Sequence, residues 1–272
     1  MKRELSFLLL VASGLSGCGD RDASPADTSA SNTASARPPT APAPTVIAVP
    51  APAEFQGVFA GTSNSGVDVV TVQLDDGSVF AMQGRTVNSV FTPNGFVRAT
   101  GRYANAIFTQ VQNAVLYPYN AGLVPGSLSG SYTPGGAFNW SFTTIGRTSQ
   151  WTTAKLPSES YDYDHAASLA DVSGNWSSRT FNKDVSATLA VSPTGEITGG
   201  DFYGCRFSGV ATPRPGGKNV FNISVTAEDS RCDLASEATG VGVILQVSST
   251  SREFVFAVSE SGSAGIVWSG VR

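Results

Sequence analysis

Histidine and charge are the scarce materials of this chain. A single His stands among 272 residues, and Lys, Arg, Asp and Glu together supply 14% of them, with a net charge of −4. General acid–base and nucleophilic chemistry near neutral pH leans on imidazole or on carboxylates with shifted pKa values. A Ser-His-Asp arrangement would have to use His165, and no Gly-x-Ser-x-Gly elbow accompanies it. The sequence is therefore read as a non-enzyme with no catalytic residues. No Lys/Arg stripe is present, which argues against a nucleic-acid partner. Metal-ligand spacings such as C-x-x-C are missing too, so neither a metal nor another cofactor is expected. Asp75-Asp76-Gly77 lacks the later acidic ligands of a calcium loop and reads as a hairpin turn. Tyr161-Asp162-Tyr163-Asp164-His165 mixes phenols, carboxylates and imidazole, but it reads as a connector in which Asp164 caps a short helix over His165–Leu169. Long apolar runs are also missing, the N-terminal one from Leu5 to Leu15 being 11 residues, too short to span a bilayer as a helix.

That run is informative. Lys2 and Arg3 precede it, and it ends in small residues, the pattern of a secretory signal. It closes in Leu15-Ser16-Gly17-Cys18, which resembles the bacterial lipobox. The resemblance implies that residues 1–17 are removed and that Cys18 carries lipid as the new N-terminus, and three acyl chains exceed what stable membrane anchoring requires. Gly19 follows the Cys directly and Asp20 comes one later, which favours the outer membrane over inner-membrane retention. The membrane, reached through this lipid, is the first expected partner. In the oxidising compartment beyond the inner membrane, Cys205 and Cys232 are expected to form one disulfide.

Residues 18–53 follow as a Pro/Ala/Ser/Thr tether. Positions 19–53 hold seven of the 15 Pro and no aromatic residue, so they cannot bury enough apolar surface to fold and are read as disordered. From Phe55 onward the pattern changes to short apolar alternations separated by turn signals: Asp75-Asp76-Gly77, Pro93-Asn94-Gly95, Pro134-Gly135-Gly136, Pro193-Thr194-Gly195 and Pro215-Gly216-Gly217. The fold class that follows is all-β, two tandem antiparallel meander barrels of about eight strands each, one over 54–158 and one over 172–272, with 159–171 as the connector.

Alternation in the second barrel assigns an inward face through Leu189, Phe207, Ala211, Ile223, Val243, Leu245, Phe254 and Phe256. It leaves Val210, Ile244, Val255 and Val267 pointing outward, either exposed together as a partner site or turned toward the other barrel. Two of the four Trp mark the ends of this segment. Trp176 lies on its first strand and Trp268 on its last, which become neighbours when the barrel closes, and Gly174 and Gly270 relieve crowding there.

Lipobox, tether, "GVFAG" at 57–61 and "SLSGSYTPGGAFNWSFT" at 127–143 together resemble bacterial surface lipoproteins, in particular the barrel domains of transferrin-binding protein B and factor-H-binding protein. Residues 203–234 resemble a segment recurring in uncharacterised proteobacterial lipoproteins, and Gly174-Asn175-Trp176 is similar to the Gly-x-Trp of lipocalin first strands, which implies that Arg272 covers the ring. The resemblance implies a lipid-anchored envelope protein, at the cell surface or the periplasmic face, that binds or supports a macromolecule through the exterior of its barrels. Its partner would be a protein of unknown identity. An inhibitor of a lytic enzyme, or a lipocalin-like carrier of a small hydrophobic ligand in a barrel interior, are the other classes open at this level.

Overall fold

A computed structural model describes residues 51–118, 122–133, 136–179, 186–201, 204–228, 232 and 234–272. The signal segment, Cys18 and nearly all of the tether lie outside the described residues, as does Pro134-Gly135.

Both barrels are closed. Barrel 1 comprises β1 (Gly57–Ser63), β2 (Asp68–Gln73), β3 (Ser78–Val87), β4 (Val90–Ala104), β5 (Ile107–Gln110), β6 (Ala114–Pro118), β7 (Val124–Thr133), β8 (Ala137–Thr144) and β9 (Arg147–Lys155). Strands β5 and β6 lie end to end in the one slot between β4 and β7, each pairing with both. The β1–β9 and β3–β4 pairings complete an antiparallel ring of eight. After the helix α1 (Leu169–Val172), barrel 2 runs as an unbroken meander: β10 (Gly174–Arg179), β11 (Ser186–Val191), β12 (Glu196–Asp201), β13 (Arg206–Pro213), β14 (Phe221–Ala227), β15 (Ala238–Gln246), β16 (Arg252–Ser259) and β17 (Gly265–Val271). Ser177 pairs with Val271 to close it. Strand ladders consume most backbone polar groups of the described strands, and closure joins the first and last strand of each barrel.

Three expectations need correction. Pro93-Asn94-Gly95 is a bulge inside β4, where Gly95 pairs with Gln83 and Pro93 with Gly84, so that Asn94 is the extra residue. A Pro is tolerated there because a bulge releases it from donating to the ladder. The turn of that hairpin is instead Asn88-Ser89, both at positive φ, the two-residue geometry whose twist matches the flanking strands. Second, α1 starts later than expected, with Ser168 rather than Asp164 as its N-cap: Ser168 Oγ accepts from Ala170 N at 3.3 Å. Asp164 is held elsewhere, by Lys218 at 2.7 Å. Third, β15 has the opposite phase. Gly240 and Gly242 face inward with Ala238 and Ile244, opposite Ile223 and Phe221, while Val241, Val243 and Leu245 face out. The cause is steric, since a Cβ on Gly242 would sit 2.7 Å from the Phe254 ring. A rule that turns the larger residue inward fails where a neighbouring ring fills the space.

The outward side of β15 is nonetheless buried, because it meets barrel 1. Val58, Val70, Val72, Phe80, Met82, Phe91 and Phe96 of barrel 1 form one core with Val241, Val243, Val255 and Ala257 of barrel 2. Both barrels belong to one compact unit. Of the four apolar residues expected on outer faces, Val255 and Val267 pack into this joint, Ile244 points into barrel 2, and only Val210 is exposed.

Candidate functional site

Barrel 2 is filled. Trp176, Leu189, Phe221, Ile223, Phe254, Phe256 and Trp268 stack through its interior, as expected for eight strands, whose interior is just wide enough for side chains. The Trp176 indole donates to Val172 O at 2.8 Å, and the Arg272 guanidinium lies 4.5 Å over its ring, the contact that the Gly-x-Trp resemblance implies. Arg272 also donates to Asp171 O and Ser173 O, tying the last residue to the helix that opens the barrel. Gly174 sits at φ +129, a conformation L residues rarely adopt, with that guanidinium against it. Gly270 leaves the space the Trp268 ring occupies, because a Cβ there would lie 2.1 Å from it. At the other end of the barrel, Cys205 and Cys232 form a disulfide with Cα atoms 4.8 Å apart. These residues fill the interior of barrel 2 and tie down its two ends, and they do not converge on a common cavity.

The joint between the barrels holds a buried carboxylate and an ion pair. Glu253 on β16 is 1% exposed and accepts from Phe91 N of β4 at 3.1 Å. Burial raises its pKa to about 7, against the opposing pull of the bonds from Phe91 and Ser269. Arg214 of barrel 2 reaches the β2–β3 turn of barrel 1, bonding Asp75 and Asp76 at 2.9 Å each. Burial works against Asp76 ionising, but the bonds from Ser78 and Arg214 prevail and lower its pKa. Asp75-Asp76-Gly77 is thus a turn with an ion pair across the joint. Tyr161 and Tyr163 of the connector are buried in the same core, Tyr161 donating to Asn219 O, and burial raises both phenol pKa values. Among the described residues, no group of three His, Cys, Asp or Glu is placed to hold a metal.

A different surface lies on the outside of barrel 1. A groove of about 760 Å³ crosses β1, β9, β8, β7 and β5. Its walls are two outward rows set by the strand register. One reads Thr62, Thr152, Asn139, Ser131 and Ile107 across the pairs of five strands. The other reads Asn64, Gln150, Ser141 and Ser129, with Gln150 N bonded to Asn64 Oδ1. Between them run Ser63, Trp151, Trp140 and Gly130, so the backbone of that row forms the floor; the two Trp are each 2% exposed. Thr152 Oγ1 donates to Asn139 Oδ1 at 2.8 Å, which orients the amide along the row. The outward positions of β7, β8 and β9 beyond the groove continue in the same chemistry: Ser127 and Thr133, Thr143, and Thr148. None of these outward residues carries a charge.

Sequence reasoning missed this site. Each strand alone shows only polar residues at alternate positions, and the rows emerge from cross-strand register, which a single strand does not encode. The available signal was "SLSGSYT" at 127–133, a Ser-x-Ser-x-Ser-x-Thr alternation with no charge.

No family model matches the chain, and no curated protein matches it either. Among solved structures, it is similar to the isotype 1 transferrin binding protein B of serogroup B Neisseria meningitidis, at 10% identity and a TM-score of 0.28. The match covers 76% of this chain and 64% of the other, so this chain spans less than two thirds of that protein's length. An identity and a TM-score of that size are silent on function.

Proposed function

We propose that the protein is a lipid-anchored envelope lipoprotein, held in the outer membrane through Cys18, and that it acts as a non-catalytic binding module through the exterior of barrel 1. The observation that carries the second part is the uncharged groove across β1, β9, β8, β7 and β5. It remains open to solvent while the apolar outer faces of both barrels are buried against each other. The carrier reading is less favoured, because aromatic and aliphatic side chains occupy the interior of barrel 2. Lipidation rests on the lipobox-like Leu15-Ser16-Gly17-Cys18.

A photo-crosslinking residue placed at Ser131 in cells tests the binding surface. A reproducible adduct at Ser131, with none from the exposed Thr188 on β11, is the expected result. Equal or absent adducts at the two positions count against the groove. Mass spectrometry of membrane-extracted protein is expected to show an acylated Cys18, and Cys18→Ser to release the protein from membranes. Recovery of unmodified soluble wild-type protein would end the anchoring reading.

A further inference from the structure

The chemistry of the groove walls goes further than "a binding surface". The geometry points to a neutral, linear glycan as the occupant, an inference that rests on reading the outer face of barrel 1 as the binding surface. Each competing class of macromolecule demands a mark that the groove lacks. A nucleic acid, an anionic polysaccharide or a lipid headgroup requires cations, and affinity for such polymers comes mainly from them. The nearest outward charges flank the groove outside its lining, Arg102 opposite Thr109 beyond β5 and Asp68 opposite Thr62 beyond β1. A folded protein partner requires anchors, commonly Trp, Tyr or Arg in a desolvated pocket. Here the rings of Trp140 and Trp151 are 2% exposed, and the apolar side chain offered is Ile107 at one end. A peptide adding itself as a strand needs a free sheet edge, and a closed barrel has none.

A glycan fits what is present. Its neutral hydroxyls both donate and accept, and so do the side chains of Ser, Thr, Asn and Gln. Uncharged hydroxyls and amides lose less on leaving water than charges do, so such a surface can desolvate without a counter-charge. The layout suits a linear polymer. Successive outward residues on one strand are roughly 7 Å apart and neighbouring strands roughly 4.8 Å apart, so five strands give a track on the order of 19 Å long with a polar wall on each side. A chain lying across the strands meets Ser131 and Ser129, then Asn139 and Ser141, then Thr152 and Gln150 at consecutive steps. Asn139 is held in place at the edge of that track, its Oδ1 accepting from Thr152 at 2.8 Å and its Nδ2 donating to Thr133 at 3.5 Å.

The test probes a printed array of neutral and anionic glycans with the purified full-length protein in detergent, followed by calorimetric titration of the oligosaccharides that bind. Linear neutral glycans are expected to bind and anionic ones not. Because no ion pairs are involved, affinity is expected to change less than about twofold between about 0.05 and 0.5 M NaCl. Ser131→Arg and Gln150→Glu each bring a bulky charge into the track and are expected to weaken binding about tenfold or more. Thr188→Arg on barrel 2 is expected to leave it unchanged. Near-ultraviolet circular dichroism and melting curves that match wild type establish that the groove variants remain folded. A blank array, binding confined to anionic glycans, or binding that survives Ser131→Arg combined with Gln150→Glu overturns the glycan assignment. If Ser131 still gives its crosslinked adduct in cells while the array is blank, the exterior binding surface stands and only the ligand class falls.

Discussion

The two barrels have the same number of staves and are filled by different rules. In barrel 2 the interior is mainly aliphatic and aromatic, with Ser178 buried beside Trp176 on β10, Trp176 has its hydrogen bond, and a disulfide and Arg272 fasten the two ends. Among its described interior side chains, the Trp268 indole nitrogen is the one polar atom buried without a partner. Barrel 1 buries Thr71, Gln73 and Thr153 inside, and Thr71 Oγ1, Gln73 Nε2, Thr153 Oγ1 and the indole nitrogens of Trp140 and Trp151 all lack partners among the described residues. A buried donor left unmade costs about 1–3 kcal/mol. Three of these groups, on Trp140, Trp151 and Thr153, belong to β8 and β9, whose other side carries the groove rows. Barrel 2 therefore reads as the rigid support. Barrel 1 tolerates a less satisfied wall where its outer face has the residues a ligand would meet.

That comparison breaks most sharply at Trp176. Trp176→Ala removes a fully buried ring, its bond to Val172 and the seat of Arg272, and is expected to cost about 3–5 kcal/mol in chemical denaturation. If barrel 2 is the support, the variant also loses the joint, and both barrels unfold in one earlier transition. A barrel 1 transition that stays at its wild-type midpoint contradicts the supporting role.

The disulfide comes next. Cys205 and Cys232 are 27 residues apart, and closing such a loop is worth about 3–4 kcal/mol in the chain-entropy account. Cys205→Ser with Cys232→Ser is expected to lower stability by about that amount, measured against wild type under non-reducing conditions. Non-reducing peptide mapping of protein from the envelope is expected to recover the two cysteines as one linked pair. An unchanged denaturation midpoint would show that the adjoining loops are held by other means, such as Glu260, whose carboxylate accepts from Ala235 N and Ser236 N.

How much of this was legible follows the same division. The strands of barrel 2 could be read because turn signals such as Pro193-Thr194-Gly195 punctuate them and apolar alternation is strong. The neighbouring first and last strands of barrel 2 and the cysteine pair could be read because each concerns local pattern or simple arithmetic. What could not be read depends on register between strands or on contacts between barrels. The inward glycines of β15 reverse a phase that side-chain size suggests. The slot shared by β5 and β6, the bulge at Asn94 and the groove rows need the pairing partner to be known. Glu253 stands at the head of the apolar strand "REFVFAVS", and nothing in that strand alone says that its carboxylate is buried beneath Phe91 of the other barrel.

Glu253 gives the comparison a pH axis. Its pKa is raised from 4.5 to about 7 in the folded protein, chiefly by burial. The folded state then holds a proton that the unfolded chain has already released between these values. The stability that Glu253 contributes is fully retained below about pH 4.5, falls as pH rises toward 7, and levels off above it. At 1.36 kcal/mol per unit, the ionised form costs up to about 3 kcal/mol. Glu253→Gln keeps an acceptor for Phe91 N and removes the titration. Its stability is expected to match wild type near pH 4 and to exceed it by up to about 3 kcal/mol at pH 8. Parallel pH profiles for the two proteins would mean that the carboxylate is not desolvated at the joint.

The smallest expected effect separates the two interiors most cleanly. Trp151→Phe and Trp176→Phe remove the same atoms, an indole N–H and part of a ring, from sites that are 2% and 0% exposed. The volume lost is equal, so the cavity cost is similar and cancels when the two are compared. What differs is the nitrogen. At Trp176 it donates to Val172 O, and losing that bond adds about 1 kcal/mol to the cost. At Trp151 it has no partner among the described residues, so its removal relieves a desolvated donor worth about 1–3 kcal/mol. Trp151→Phe is therefore expected to lie within about 1 kcal/mol of wild type, while Trp176→Phe is clearly destabilised, both measured by urea denaturation at a fixed pH. Equal losses at the two sites would mean that the Trp151 nitrogen is satisfied by an ordered water. Barrel 1 would then be as fully paired as barrel 2, and the contrast between support and presenting face would have to rest on the groove alone.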